Sequence, residues 1–107
     1  MKLPKVVTNL IDSQNSHDGV AYTECFSDTA VVFDEGHTHK GRVEIQHWNE
    51  KSNQEYQTVL KPVSYEEGKN DAVLKGEISG TFPGSPAILN FHFVFQEELI
   101  KSLKITG

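Results

Sequence analysis

The chain has 107 residues, with 10 Lys and Arg against 15 Asp and Glu and a formal net charge of −5, which is enough for one domain with one modest core. An acidic balance without a Lys/Arg run argues against nucleic acid or an anionic membrane surface as the main partner. The lone Cys25 excludes an internal disulfide, no apolar stretch approaches a membrane span and MKLPKVVTNLID has no export core, so the expected compartment is cytoplasmic.

Leu3, Val6, Val7, Leu10 and Ile11 recur at helical spacing and predict a first helix, with Pro4 in its first turn, where a missing N–H costs nothing. The polar cluster Ser13-Gln14-Asn15-Ser16-His17 ends it. Asp18 caps a short second helix with Ala21, Tyr22, Cys25 and Phe26 on its inner face, and Cys25 reads there as a packed thiol. Ser27-Asp28 is turn chemistry. Residues 30–33 form a continuous β-branched and aromatic run, predicting a strand buried on both faces with Asp34 at its end. Gly36 and Gly41 bracket a polar, His-rich loop. From Arg42 to about Gln54 a third helix is expected, with Ile45 and Trp48 on one face and Glu44 in the first turn, where the helix dipole favours it.

The period then changes. Residues 58–66, 72–82, 88–96 and 99–106 read as strands, separated by Glu67-Gly68-Lys69-Asn70-Asp71, Pro83-Gly84-Ser85-Pro86 and Glu97-Glu98. Leu89, Phe91, Phe93 and Phe95 share one strand face. Helices followed by an antiparallel meander describe an α+β domain, a curved sheet wrapped around helices, with residues 1–107 as its single unit.

That order, together with Phe26-Ser27-Asp28-x-Ala30-Val31-Val32, Gly41-Arg42-x-x-Ile45-x-x-Trp48, Gly80-x-Phe82-Pro83-Gly84-Ser85-Pro86 and Ile100-x-x-Leu103-x-Ile105, resembles the nuclear transport factor 2-like superfamily, within it the SnoaL-like (polyketide cyclase-related) branch. The resemblance implies a cystatin-like, cone-shaped α+β barrel with the N-terminal helices packed inside a curved antiparallel sheet. It also implies a small-molecule-binding protein, an enzyme of the isomerase or cyclase type with Asp34 as general base on a carbonyl compound. The superfamily holds enzymes, ligand binders and interaction modules alike, so a non-catalytic binding or dimerisation module is the alternative.

Ketosteroid isomerases share this fold. Their general base lies eight residues after the Phe of the F-x-D-x-A motif, which falls on Asp34 here. Their two oxyanion donors, a Tyr on the first helix and a neutral carboxylic acid on a late strand, fall near Leu10 and Phe91, and neither can donate. Losing such donors costs about a hundredfold or more each in rate, which argues against that particular reaction.

The implied cone directs Asp34 inward with Ala30 and Val32, where desolvation raises a carboxylate's pKa and suits it to base chemistry. The competing role is acceptance of backbone hydrogen bonds from the Glu35-Gly36 turn. His37 and His39 are too few for a structural zinc, so neither a metal nor any other cofactor is expected; His39 is a second candidate, orienting Asp34 or a ligand at the cone mouth. Tyr22, Phe26, Trp48, Phe91 and Phe93 are the expected pocket wall, around a cavity of only a few hundred cubic ångströms for a small, largely apolar ligand. Asn90, His92 and Val94 face the other way, and by family analogy the expected assembly is a homodimer through this outer sheet face.

Overall fold

The computed structural model describes all 107 residues as three helices and one six-stranded sheet. In chain order they are α1 (Lys5–Asn15), α2 (Gly19–Glu24), β1 (Phe26–Asp34), β2 (His37–Lys40), α3 (Gly41–Tyr56), β3 (Val59–Glu67), β4 (Asp71–Ser79), β5 (Ala87–Gln96) and β6 (Leu99–Thr106). The architecture is α+β as expected, with the sheet curved around the helices but unclosed. Its order is β2-β1-β6-β5-β4-β3.

Four local expectations are corrected. The sheet is not wholly antiparallel, because β1 and β6 pair in parallel. No hairpin joins those two strands; β6 slots between β1 and β5, and its direction is set by the two-residue Glu97-Glu98 turn that reverses it against β5. Ser27 and Asp28 lie inside β1, not in a turn. The strand starts early because Phe26 pairs with Ile100 and because Arg42 donates through Nε and Nη2 to the Phe26 carbonyl at 2.9 and 2.7 Å. Nor is β1 buried on both faces: Ala30 and Val32 are sealed inside, whereas Phe33 is 41% exposed on a face that no second layer covers. Finally, the His-rich loop is strand β2, paired antiparallel with β1 so that Asp34 opposes His37 and Val32 opposes His39. Glu35 and Gly36 make the two-residue turn with φ of 50° and 77°, the left-handed pair that matches strand twist.

The core joins Val7 and Leu10 of α1 and Ile45 of α3 to Phe26, Leu74 and Phe93 of the sheet. Asp18 caps α2 as expected, accepting a 3.0 Å bond from the Ala21 amide. At the start of α3 the Glu44 carboxylate accepts from the Lys40 amide at 2.8 Å, which satisfies one of the donors a helix leaves open. Gly80 lies so close to the Tyr56 carbonyl that a Cβ would collide with backbone. The adjacent Thr81 amide donates to that carbonyl at 2.7 Å, tying the β4–β5 loop to the end of α3.

Candidate functional site

A cavity of about 690 Å³ lies between the helices and the concave face of the sheet. It is larger than expected and falls in the middle of the usual range for ligand pockets. Glu35 and His37 of the β1–β2 turn region and Phe82 and Pro83 of the β4–β5 loop contribute to its lining. Leu10, Leu60, Ile78, Leu89, Phe91 and Ile105 supply hydrocarbon walls. Leu10 and Phe91, the positions where an isomerase would carry its donors, thus both border the space and neither can hydrogen-bond.

Asp34 is brought to the cavity by the strand period that buries Ala30 and Val32 on the same side. Its Oδ2 accepts a 3.3 Å hydrogen bond from Trp48 Nε1, the one side-chain hydrogen bond on this carboxylate. The competing turn role is not the one adopted. Burial pushes the Asp34 carboxyl above its ordinary range, with Glu35 adding to the effect; the Trp48 bond, His39 and His37 oppose it. Trp48 is itself clamped, with His39 stacked on it at a centroid separation of 5.4 Å and Tyr22 tilted against it at 6.2 Å. The chain from His39 through Trp48 to Asp34 therefore fixes the carboxylate from α3 and β2 together.

Tyr22 is 4% exposed and lines the same space from α2. Burial, with Cys25 and Asp34 contributing, keeps its phenol protonated well above the ordinary tyrosine range. A connected set of amides forms another part of the wall. Asn49 Nδ2 donates to Gln14 Oε1 at 2.8 Å, and Gln14 Nε2 donates to Asn53 Oδ1 and to Thr58 Oγ1, both at 2.8 Å. Sequence patterning missed this set, because Gln14 reads as helix-ending polarity and nothing singles out Asn49 and Asn53 on the third helix. Their one signal is the i, i+4 spacing of two Asn on the helix face that carries Ile45.

Five of the seven residues expected at the site thus border the cavity: Asp34, His39, Tyr22, Trp48 and Phe91. Phe26 and Phe93 do not. At 0% and 1% exposure both belong to the closed core, Phe26 beneath Tyr22 and Phe93 stacked on Phe95 at 5.6 Å. The reason for Phe93 is the length of β5: four alternate residues face inward, but the cavity occupies only the Leu89–Phe91 end. No three His, Cys, Asp or Glu side chains converge in a metal-holding group. Burial, then Glu24, pushes the Cys25 thiol up to about 11, far from the thiolate a nucleophile needs. A second cleft, about 750 Å³, lies at the far end of β3 and carries Asp12, Glu24, Glu67 and Glu98 on its rim.

The α+β cone, with its cavity between helices and sheet, defines the class of protein. The fold matches that of a candidate polyketide cyclase from Sinorhizobium meliloti, 33% identical over 97% of this chain and 95% of the other, with a TM-score of 0.94. It also matches a protein of ketosteroid isomerase-like fold from Catenulispora acidiphila, seen in complex with trimethylamine (16% identity, 99% and 87% covered, TM-score 0.89). A third match is the epoxide hydrolase/cyclase-like enzyme SalBIII, which has a role in pyran ring formation in the polyether salinomycin (18% identity, 95% and 87% covered, TM-score 0.83). No family model matches the chain, and no curated protein matches it either. The chain belongs to the SnoaL-like branch of the nuclear transport factor 2-like superfamily.

Proposed function

We propose that this protein binds a small, largely apolar carbonyl compound in the cone and that Asp34 acts on it as a general base, in chemistry of the isomerase or cyclase kind. One observation carries the reading: the Asp34 carboxylate opens into a cavity whose walls are mainly hydrocarbon, held in place by Trp48. A carboxylate desolvated in this way is more basic than one in water, and base strength nearer to neutrality favours proton abstraction beside a carbonyl. An anionic ligand would meet three carboxylates, Asp34, Glu35 and Glu55, against one lysine, Lys51, so a neutral one fits better. His39 has a supporting part, through its stacking on Trp48. The cyclase names of two fold relatives agree with such chemistry without specifying a substrate. The buried, unpaired Cys25 fits a cytoplasmic setting.

The test is exchange of the protons next to the carbonyl of cyclic ketones in D₂O, followed by proton NMR. The wild-type protein should accelerate exchange, and Asp34→Asn should lower that acceleration by about a hundredfold or more, the usual contribution of a positioned base. Exchange no faster than buffer for every ketone, despite binding, would favour the alternative of a non-catalytic module. That alternative draws on the outer sheet face, where Val73, Ile88 and Val94 are exposed around His92. The same patch supports a homodimer, with the cavity of each copy facing away from the contact.

A further inference from the structure

Tyr22 is an uncommitted hydrogen-bond donor buried in the cavity wall. Its side chain is 4% exposed, and its hydroxyl has no hydrogen-bond partner in the protein. That hydroxyl is not sealed within the core either; Ser27 Oγ is the one side-chain polar atom both sealed and unpartnered. The ring is held between Phe26, at a centroid distance of 5.4 Å, and Trp48, at 6.2 Å, so the side chain cannot swing outward. The other buried polar groups on the wall are engaged: the Trp48 N–H with Asp34, and the Gln14 and Asn49 amides with each other. Buried hydroxyls are hydrogen-bonded in almost all proteins, so one left open toward a cavity marks where an acceptor belongs.

We propose that Tyr22 Oη donates a hydrogen bond to the carbonyl oxygen of a ketone ligand, and that this bond selects ketones over hydrocarbons of the same shape. The proposal rests on the small-ligand reading above and adds to it the point of attachment. With the Tyr22 hydroxyl and the Asp34 carboxylate both set beside hydrocarbon side chains, the cavity distinguishes molecules by where their oxygen lies. An analogue without that oxygen leaves the phenol buried and unpaired, which is how a site rejects a molecule of equal size.

The experiment compares wild type with Tyr22→Phe by titration calorimetry. The probes are a series of mono- and bicyclic ketones, beginning with 4-tert-butylcyclohexanone, each paired with the analogue in which an exocyclic methylene replaces the oxygen. Wild type should bind ketone about tenfold more tightly than its partner, the scale of one net hydrogen bond, and Tyr22→Phe should bind the two alike. The carbonyl stretch of the bound ketone should lie at lower wavenumber in wild type than in Tyr22→Phe. Thermal stability without ligand should be unchanged or higher in Tyr22→Phe, because the oxygen removed has no partner in the protein. Equal ketone affinity in the two proteins would overturn the role of Tyr22 and leave the small-ligand reading standing. A clear loss of stability in Tyr22→Phe would also overturn it, by revealing an internal partner for the hydroxyl. Binding of no member of either series to wild type would remove both.

Discussion

At the scale of single residues the account turns on Asp34, whose environment has a consequence for stability. Its carboxyl is raised above the ordinary range in the folded chain, burial being the main cause, so the folded state holds the proton to higher pH than the unfolded state does. The contribution of Asp34 to stability is then full below the ordinary carboxylate pKa and is lost as pH rises through the raised, folded value. Asp34→Asn removes this loss. Urea unfolding across the acid-to-neutral range should find the variant gaining on wild type as pH rises and at least as stable at neutrality. A variant several kcal/mol less stable at neutral pH would instead mean that the ionised carboxylate is a structural acceptor. Trp48 acts in the opposite sense, since its N–H bond favours the ionised form. Carboxyl-carbon NMR titration of Trp48→Phe should therefore give a higher Asp34 pKa than wild type; an unchanged value would show that the 3.3 Å bond has no electrostatic effect. The candidate base was legible in sequence because a polar residue closing an apolar strand stands out. The amide set of Gln14, Asn49 and Asn53 was not, because each bond within it joins residues whose burial depends on how α1 meets α3.

At the scale of elements, two strands divide their inward faces between core and cavity. Phe93 and Phe91 look alike in sequence, as alternate aromatics on one strand face. In the fold Phe93 opposes Ala72 and Leu103 at 1% exposure, whereas Phe91 borders open space. Phe93→Ala should cost about 3–5 kcal/mol, as for other large-to-small changes in closed cores. Phe91→Ala should cost less, because the cavity already deprives that ring of neighbours on one side; the two are compared by chemical denaturation, and equal losses would deny the division. Periodicity names the inward face but not how deep along it the packing closes, which explains why Phe26 and Phe93 read as pocket wall. The β2 strand escaped for another reason. His37-Thr38-His39-Lys40 has no apolar alternation, because an edge strand four residues long rests on hydrogen bonds to β1 and a two-residue turn rather than on burial.

At the scale of the whole molecule, the sheet has one face on the helices and one in water. The order of helices and strands, and hence the α+β cone, was legible apart from β2, since helical and alternating periods occupy separate halves of the chain except at β1 and β2. The parallel β1–β6 pairing was not, because no local pattern records which strands meet after the chain has closed. Exposed Val73, Ile88 and Val94 on the outer face predict self-association. Sedimentation equilibrium should give twice the chain mass for wild type and a monomer for Ile88→Asp combined with Val94→Asp, with folding retained by circular dichroism. A monomeric wild type would dismiss the dimer while leaving the cavity unaffected. The central claim, that the space beside Asp34 receives a small neutral carbonyl compound, is tested most directly through Trp48, the one tryptophan of the chain and the partner of Asp34. Titrating wild type with a broad panel of apolar carbonyl compounds should shift Trp48 emission saturably for at least one compound and raise the unfolding temperature in parallel, with both responses weakened in Asp34→Asn. If no compound alters either signal, the cavity is not a ligand site, and the protein is a dimerisation module that happens to enclose one.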